Sequence, residues 1–543
     1  MTNSIQELQD ADLIFVIGSN MTEAHPVISY YVKRAVNKGA TLIVNDPRRT
    51  DLCRWAAHHV QIKVGSDIAY INGLINEIFK NGWANEDFIR EHTENPDEMR
   101  AWAESYPVER ASEICGVPVA RMKEIARLLG TAKSVSVCYT LGITEHICGT
   151  DNVKTLANLQ MVLGNLGKHG AGLNPLRGQN NVQGACDMGA LPNVFHNYQP
   201  VTDAKAIEKM EKDWGVTGLS RTAGYKMPTM LHKALDGGTR VLYCVADNTV
   251  QTEPHMAHTI KELQALELLV VTDIFPNLTT ALAHVVFPDY SWGEEEGTFS
   301  NTERRVQRVR RALTPPEGCR PNWWILQELG KRLGYDLGFT SARAIWEDMR
   351  RTATSYAGIT HERIEDVGLQ WPCPTPEHPG TAFLHKDGKF SRGKGLFCKT
   401  DWIPPAEVVD EEYPLVLSTG RRLWHYHSGT QTRNSVGLEN LFPEELLEMH
   451  PTDAAPLGIA SGDLVKAASR RGEVTLRAWV NERAAPGLCW MAFHFEEACA
   501  NVLTIDAFDP VTETAEYKVC AIRVEKVRDG EAPMEDLRRQ ARP

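Results

Sequence analysis

Residues 177–189, RGQNNVQGACDMG, are the stretch of this chain best equipped for chemistry. An arginine, several amides and small residues are concentrated there, with few large apolar side chains. Gly178, Gly184 and Gly189 allow positive φ angles and a close approach of the backbone to a ligand. The amides offer donors and acceptors together, and Arg177 can hold a planar anion through two parallel hydrogen bonds. The stretch therefore predicts a ligand-binding loop; the alternative is a polar surface loop.

The composition is that of a soluble globular protein of several domains. The chain has 543 residues, which is too long for one core. A formal net charge of −12 argues against nucleic acid as a partner, and the lack of a long apolar run predicts no membrane segment. The 12 cysteines include no CxxC pair, which disfavours a ferredoxin-type cluster or a zinc ribbon in this chain. Their scattered positions favour a reducing, cytoplasmic compartment.

Upstream of the loop, the chain repeats an apolar strand, a polar turn and a helix. Strands are expected at 12–18, 41–46 and 59–65, and another begins at residue 134. This repeat predicts a parallel sheet covered on both faces, with ligands bound beyond the carboxyl ends of its strands. Helix N-termini at that edge present unpaired N–H groups that suit a phosphate. The turns lack a GxGxxG pattern, which disfavours an NAD site; the alternative is that they bind nothing.

Two later regions show further regular patterns. Apolar strands at 241–250, 267–275 and 283–292 predict a second parallel sheet. From about residue 413 to 527, short strands alternate with turns, which predicts a closed β-barrel. Residues 318–410 are weakly periodic and predict irregular connecting structure.

Each of these regions contains a polar motif. GTFSNTERRVQ, at 297–307, places Glu303 beside Arg304, and this acid and arginine can hold each other in place or meet a phosphate. The alternative for this motif is a solvated charged helix. In the barrel region, His425 and His427 are near in sequence, but no third ligand of suitable spacing accompanies them, which disfavours a metal site. A surface turn is the alternative there.

These motifs resemble one known family. RGQNNVQGACDMGALP is similar to the active-site segment of formate dehydrogenase large (alpha) subunits, in the molybdopterin oxidoreductase or DMSO reductase superfamily. GTFSNTERRVQ resembles a motif shared more widely in that superfamily, and the resemblance extends from the first residues to about Val527. It implies an α/β fold with two αβα, Rossmann-like parallel-sheet domains and a C-terminal six-stranded β-barrel of the double-psi type.

The resemblance also implies how the domains divide the chain. The expected parts are a first αβα cofactor-binding domain at 1–179, a second αβα domain at 180–291, a connecting region at 292–410, a cofactor-binding β-barrel at 411–530 and a tail at 531–543. The tail is rich in charged residues and is expected to be solvated.

The implied cofactor is a bis-molybdopterin guanine dinucleotide that carries molybdenum or tungsten. The implied reaction is the reversible two-electron oxidation of formate to CO2, in which Arg177 holds the formate carboxylate and Gln179 hydrogen-bonds near the pterin or the substrate. Cofactor contacts are implied at strand-end turns, in the loop and in the barrel, at Gly18, Ser19, Asn20, Asp46, Arg48, Gly65, Asp67, Leu141, Gly142, Glu145, Gly178, Asn180, Asp247, Asn248, Asp273, Arg421, His425, Tyr426, His427, Asn501, Tyr517 and Lys518. This chain departs from many members at Glu145, where they have glutamine, and at 246–249, where they have Gly-Glu-Asn-Pro.

The family further implies a segment that would precede Met1. Its members carry an N-terminal [4Fe–4S] domain and then a selenocysteine or cysteine that binds the metal, so no metal ligand is expected within this chain. We hypothesise that a selenocysteine UGA codon was read as a stop, which would make the sequence a truncated selenoprotein that starts at an internal methionine. An in-frame cysteine-rich segment and a UGA codon in the upstream DNA would support this hypothesis; their absence would refute it.

The partners implied by the family are formate and CO2 together with electron-transfer subunits of the iron–sulfur, NAD, ferredoxin or hydrogenase type. Neither nucleic acid nor a membrane is expected as a partner. Two alternatives stay open. One is a different reductase of the same cofactor class, such as one for nitrate, and the other is a non-catalytic scaffold that binds the cofactor.

Overall fold

The computed structural model describes residues 1–530, which form two compact units. The first unit combines residues 1–176, 250–259 and 383–530, and the second unit combines residues 177–249 and 260–382. The domains predicted from the sequence divide the chain more finely, so their boundaries stay predictions. The predicted tail lies outside the described residues.

A parallel sheet forms the N-terminal part of the first unit. In chain order, the strands of this part are β1 Leu13–Ile17, β2 Thr41–Asn45, β3 His58–Val60, β4 Thr93–Glu94, β5 Val135–Tyr139 and β6 Gly172–Pro175. Five of them pair in the order β3-β2-β1-β5-β6, and every pairing is parallel. All residues of β1 are buried, which explains why its sequence, LIFVI, is apolar on both faces.

Helices cover both faces of this sheet. They are α1 Met21–Ala24, α2 Pro26–Asn37, α3 Asp67–Lys80, α4 Glu86–His92, α5 Pro96–Ala103, α6 Val108–Cys115, α7 Val119–Thr131, α8 Leu141–Thr144 and α9 Gly149–Val162. Phe15 and Ile17 share one buried cluster with side chains of α3, α6, α7 and α9, whereas Ile14 and Val16 share another with side chains of α2. The doubly covered parallel sheet predicted from the sequence is therefore confirmed.

The second unit contains a smaller parallel sheet and an antiparallel sheet. Its strands are β7 Val194–Phe195, β8 Gln199–Pro200, β9 Val241–Val245, β10 Leu268–Asp273, β11 Val285–Pro288, β12 Gly297–Ser300, β13 Arg305–Val309 and β14 Leu369–Gln370. The order β11-β10-β9 is parallel throughout, which confirms the second predicted sheet. The order β12-β13-β14 is antiparallel. Because the 297–307 motif lies in β12 and β13, the alternative of a solvated helix is wrong.

The helices of this stretch of the chain are α10 Val182–Asp187, α11 Ala204–Trp214, α12 Met227–His232, α13 Thr249–Thr252, α14 Met256–Gln264, α15 Asn322–Arg332 and α16 Ala342–Thr352. The irregular structure predicted for 318–410 is wrong where α15 and α16 lie. Ala342, Ile345, Trp346 and Met349 lie at helical spacing, and Trp346 and Met349 anchor α16 in a buried cluster, so the sequence carried a helical signal that the prediction of irregular structure did not use. Across residues 1–530, no helix is both long and apolar enough to cross a membrane.

The C-terminal part of the first unit is a closed β-barrel. After β15 Gly395–Leu396, its strands are β16 Leu415–Gly420, β17 Leu446–Met449, β18 Leu464–Ala468, β19 Glu473–Val480, β20 Leu488–Ala492 and β21 Cys520–Arg528, with the short helices α17 Val436–Leu441 and α18 Pro451–Ala454. The strands follow one another around the barrel as β16-β20-β17-β19-β18-β21, which confirms the six-stranded barrel. Sequence patterns missed β17, because Glu448 interrupts its apolar run although the side chain is fully buried.

Candidate active site

The turns after β1 and β5 pack backbone against backbone. Gly18 has a φ of 54°, and a Cβ added there would lie 2.8 Å from the carbonyl carbon of Gly142. The N–H of Gly142 donates to the carbonyl of Gly18 at 3.2 Å, and the Thr140 hydroxyl donates to the same carbonyl at 2.6 Å. Both positions therefore require glycine, and these two strand ends form one continuous edge.

Two buried polar atoms at this edge have no partner. Ser19 is 1% exposed, and neither its Oγ nor the Nδ2 of Asn20 has a hydrogen-bond partner among the described residues. The Oδ1 of Asn20 accepts from the Thr22 hydroxyl at 3.0 Å. A buried polar atom without a partner costs about 1–3 kcal/mol, and native structures keep few of them. These two atoms therefore indicate a polar ligand at the end of β1.

Two buried carboxyl groups lie at the ends of β2 and β3. Burial raises the pKa of Asp46 to about 6 and the pKa of Asp67 to about 6. The backbone N–H of Arg48 donates to Asp46 Oδ1 at 2.9 Å, and Gly65, with a φ of 76°, makes the turn before Asp67. Both carboxyl groups can therefore exchange a proton near neutral pH and accept hydrogen bonds from a ligand.

The guanidinium of Arg48 is bound by side chains of the barrel. It donates to both carboxylate oxygens of Glu448, at 2.8 Å and 2.5 Å, and lies 3.9 Å from the centre of the Trp490 ring. Both charged side chains are almost completely buried. The pair therefore fastens the turn after β2 to the barrel, and the cofactor contact predicted for Arg48 stays a prediction.

The barrel rim adds cations to the same unit. Lys518 Nζ lies 2.5 Å from Glu145 Oε2 and donates to the carbonyl of Thr419 at 3.1 Å. Arg421 lies 4.9 Å from the centre of the Phe493 ring, and no carboxylate among residues 1–530 lies within 4.0 Å of its guanidinium. Burial lowers the pKa of Arg421. A half-buried guanidinium without an acidic partner is suited to an anionic ligand.

The side chains of the other residues predicted in the barrel differ in their hydrogen bonds and exposure. Both ring nitrogens of His425 are engaged, with the carbonyl of Phe442 at 2.6 Å and the hydroxyl of Thr432 at 3.2 Å. Burial, and then the charge of Arg421, lowers the pKa of His427 to about 3, so this ring is neutral. Tyr426 is exposed. The cofactor contacts predicted for His425, Tyr426 and His427 stay predictions.

Asn501 and Tyr517 hold the segment 250–259 against the barrel. The Nδ2 of Asn501 donates to the carbonyls of Gln251 and Thr252 at 2.9 Å and 3.0 Å, and the Tyr517 hydroxyl donates to the carbonyl of Thr252 at 3.0 Å. The donors of the Asn501 amide are therefore fully used within the protein. A direct cofactor contact from either residue stays a prediction.

In the second unit, the loop at 177–189 is fastened to the 297–307 motif. The backbone N–H of Arg177 donates to Thr302 Oγ1 at 3.0 Å, and the backbone N–H of Ser300 donates to Asn181 Oδ1 at 3.0 Å. Asn181 has a φ of 60°, a left-handed conformation that asparagine tolerates better than most residues. The two motifs that stand out in the sequence are therefore one structural element.

Side chains within this element differ in exposure. Arg177, Gly178 and Asn180 are exposed, and Gln179 is half-buried. A Cβ at Gly178 would meet nothing within 4 Å, so this glycine faces open space. The residues predicted to meet substrate and cofactor thus lie at the surface of the unit.

The 297–307 motif acts as a support for the loop. Arg304, with a φ of 68°, is buried and donates to the carbonyls of Trp371, Thr381 and Ala382. Glu303 accepts from the Nε of Arg305 at 2.8 Å, so this acid holds the next arginine of the motif, and its predicted pairing with Arg304 stays a prediction. These charged side chains form hydrogen bonds within the protein. Their presence in the motif is therefore explained by the fold, without a contact to a phosphate.

The turns of the second parallel sheet are closed by their own polar side chains. Asp273 accepts from the N–H of Ile274 and from Asn277 Nδ2, both at 2.7 Å. Asn248 is buried and accepts from the Thr279 hydroxyl at 3.0 Å, and Asp247 accepts from the Thr249 hydroxyl at 2.8 Å. Cofactor contacts from Asp247, Asn248 and Asp273 stay predictions.

Two families of known proteins match parts of this chain. Residues 1–332 match the family described as molybdopterin oxidoreductase, which is more than half of the chain, and residues 415–521 match the molybdopterin dinucleotide binding domain. The chain belongs to the molybdopterin oxidoreductase family. It is therefore an oxidoreductase with a molybdopterin cofactor.

Relatives of this molybdopterin oxidoreductase share most of its length. The chain is 44% identical over 531 residues to the F420-dependent formate dehydrogenase 2 subunit alpha of Methanococcus maripaludis, which covers 97% of this chain and 78% of that protein. It is 37% identical to formate dehydrogenase H of Escherichia coli, over 98% of this chain and 75% of that protein. Acetylene hydratase from Pelobacter acetylenicus shares the fold, with a TM-score of 0.74 and 18% identity over 97% of this chain and 81% of that one.

The residues of the first unit fit a molybdopterin dinucleotide. Such a cofactor carries phosphates and a ring system rich in hydrogen-bonding atoms. Ser19 and Asn20 offer buried polar atoms that lack a partner among residues 1–530, and the close packing of Gly18 on Gly142 keeps these strand ends free of side chains at that point. Arg421 offers a cation that makes no ion pair among the described residues, although Glu145 lies within electrostatic reach. The donor set of this oxidoreductase therefore complements an anionic, heteroatom-rich group.

Sequence reasoning missed three buried residues that build the framework of this oxidoreductase. Glu448 holds Arg48, Gln251 donates to the carbonyls of Ser428 and Phe493 at 2.9 Å and 2.8 Å, and Asp187 accepts hydrogen bonds beneath the 177–189 loop. The sequence carried a signal for Asp187, which is the single acid in that loop.

Asp67→Asn should stabilise the cofactor-free chain at neutral pH. Burial raises the pKa of Asp67 to about 6, above its ordinary 3.8, so the native state binds more protons than the unfolded state between these two pH values. Above pH 6, the charged and buried carboxylate therefore lowers the stability of the native state. The shift corresponds to about 2–3 kcal/mol. We expect a higher melting temperature for the variant at about pH 7.5 and no gain at about pH 4. An equal gain at both pH values would contradict a charged, buried Asp67.

Ala246→Gly should stabilise the second unit. Ala246 follows β9 with a φ of 53°. A left-handed conformation costs alanine about 1 kcal/mol more than glycine, so we expect the free energy of unfolding to rise by that amount. Ala344→Gly in α16 is the matched control, and it should lower stability by about 1 kcal/mol. Urea denaturation measures both changes.

Proposed function

We propose that this chain is the alpha subunit of a formate dehydrogenase. In this proposal it oxidises formate to CO2 reversibly, at a molybdenum or tungsten centre held by two molybdopterin guanine dinucleotides. The observation that carries the proposal is the exposed Arg177 on a loop whose backbone is fixed by Thr302 and Ser300. The similarity to formate dehydrogenase alpha subunits over nearly the whole chain supports it.

In this mechanism, Arg177 binds and orients the substrate. Formate is a planar anion, and a guanidinium can donate two parallel hydrogen bonds to its carboxylate. The fixed backbone of residue 177 holds the start of the side chain in place, and the paired hydrogen bonds to the carboxylate then orient the C–H bond of formate. Gln179 can donate to or accept from a group beside the substrate.

The cofactor, when bound, supplies the two-electron redox chemistry that amino-acid side chains lack. The chain contributes the binding surfaces: unpartnered polar atoms of Ser19 and Asn20, the carboxyl groups of Asp46 and Asp67, and the cation of Arg421. From the similarity to the family, we also propose that an iron–sulfur cluster and partner subunits would accept the electrons.

A nitrate reductase is the second candidate function. One relative, from Symbiobacterium thermophilum, is named nitrate reductase and is 34% identical over 96% of this chain. Nitrate is also a planar anion, so Arg177 would suit either substrate.

Turnover by the holoenzyme separates the two candidates. The complex would be isolated from its native source through a tag on this chain, so that cofactor, metal and partner subunits are retained. We expect formate to reduce an artificial electron acceptor, and we expect reduced dye to remain unoxidised by nitrate. Oxidation of the dye by nitrate without turnover of formate would replace the proposal with the second candidate.

A further inference from the structure

Asp187 is a completely buried carboxylate at the last position of α10, inside the loop that carries Arg177. Its Oδ1 accepts from Gln183 Nε2 at 2.8 Å and from the Tyr198 hydroxyl at 2.7 Å. Its Oδ2 accepts from Trp371 Nε1 at 2.8 Å and from the Tyr356 hydroxyl. A carboxylate has about four acceptor positions, so these donors use the group fully.

None of these four donors is a cation. A buried charge is tolerated only when it is paired or fully hydrogen-bonded, and here neutral dipoles from three separate stretches of the chain stabilise it. The rings of Tyr356 and Trp371 lie 6.1 Å apart, and those of Tyr198 and Trp371 lie 6.4 Å apart. The carboxylate therefore joins the loop to a packed aromatic group.

The network extends from Asp187 to Arg177. Tyr356, whose hydroxyl donates to Asp187, lies near the side chain of Ser300, and the N–H of Ser300 donates to Asn181 Oδ1 in the loop. Thr302 lies two residues after Ser300, in the turn that follows β12, and its side chain accepts from the N–H of Arg177. Burial raises the pKa of Tyr198 and the charge of Arg177 opposes this, which indicates that the guanidinium lies within electrostatic reach of the network.

We propose that Asp187 is a positioning residue, whose buried carboxylate fixes the 177–189 loop and thereby directs the guanidinium of Arg177 towards the substrate. That the substrate is formate rests on the proposed function. Asp187 touches neither substrate nor cofactor in this proposal and acts through the loop alone.

Asp187→Asn tests the proposal with two independent readouts. The asparagine keeps the size of the side chain but turns one acceptor into a donor, which then faces two other donors. Losing such partners in a buried site loosens the hold on the loop, so amide hydrogen exchange at 182–190, measured on the full chain, should become about tenfold faster. In the holoenzyme, the KM for formate should rise about tenfold with a smaller fall in kcat.

Two further variants keep the test decisive. Tyr198→Phe removes one donor and leaves the carboxylate, so it should change both readouts in the same direction by less, and it replaces Asp187→Asn if that variant does not fold. Asp203→Asn, at the exposed start of α11, is the matched control and should change neither readout.

Unchanged exchange at 182–190 in Asp187→Asn and Tyr198→Phe would overturn the inference. Faster exchange with a wild-type KM for formate would support the positioning of the loop by Asp187 and count against the proposed function, because the loop would then move without affecting formate binding.

Discussion

Arg177→Ala should lower the turnover of formate about 100- to 1,000-fold, which corresponds to the loss of one directed donor at a reacting anion. The side chain is exposed on a loop whose backbone is fixed at residue 177 and at Asn181, so the alanine removes the guanidinium without disturbing the fold. We expect the molybdopterin and metal content of the holoenzyme to stay unchanged. Formate-dependent reduction of an acceptor dye measures turnover, and elemental analysis measures the metal.

Two variants control this result. Arg177→Lys keeps the charge but loses the planar pair of donors, so it should retain more activity than the alanine with a raised KM for formate. Arg221→Ala removes an exposed arginine elsewhere in the same unit and should have no effect. Near-normal turnover by Arg177→Ala would contradict the role of Arg177 in the proposed mechanism.

Much of the fold could be predicted from the sequence because its signals are local. The apolar run of β1 and the glycine that follows it define a buried strand and its turn within a few residues. The same locality led to the prediction of a ligand-binding loop at 177–189. The exceptions are β17, whose apolar run is interrupted by Glu448, and α16, whose apolar residues lie at helical spacing within a region that is weakly periodic as a whole.

The pairing of charged residues could not be predicted, because it depends on distant parts of the chain. Arg48 pairs with a glutamate 400 residues away, and Arg304 donates to carbonyls about 70 residues away. A sequence motif shows that charged residues are concentrated but not which way they point. The side chains of Arg48 and Asn501 hold the barrel and its neighbouring segment, which no local pattern could show, and their predicted cofactor contacts stay predictions.

Glu448→Gln should destabilise the first unit by about 3–5 kcal/mol, the cost of breaking a buried ion pair by removing one partner. Glu448 is fully buried in β17 and accepts from Arg48 and, at 3.3 Å, from Arg422, while Arg422 also pairs with Glu445. The neutral glutamine leaves the guanidinium of Arg48 buried without its counter-charge. We expect a lower midpoint of unfolding in urea, with the largest loss in probes of the barrel.

The contribution of Glu448 should also depend on pH in a defined direction. Burial is the largest influence and would raise its pKa, but the charges of Arg48, Arg483 and Arg422 and the hydrogen bonds from Arg48 together outweigh burial and lower the pKa from 4.5 to about 2. The native state therefore binds fewer protons than the unfolded state between these values, so the stabilisation is complete above pH 4.5 and is lost as the pH falls towards 2. The difference in stability between wild type and Glu448→Gln should shrink over that range.

Glu473→Gln supplies the matched control for this pair. Glu473 lies on β19 of the same barrel, but its side chain is exposed and its ion pair with Lys466 spans 3.5 Å. Exposed pairs contribute about 0–1 kcal/mol, so the control should be nearly neutral at every pH. If both glutamine variants lose the same stability, Arg48 is not held by Glu448 in solution. Its guanidinium would then be available to the cofactor, as the sequence alone suggested.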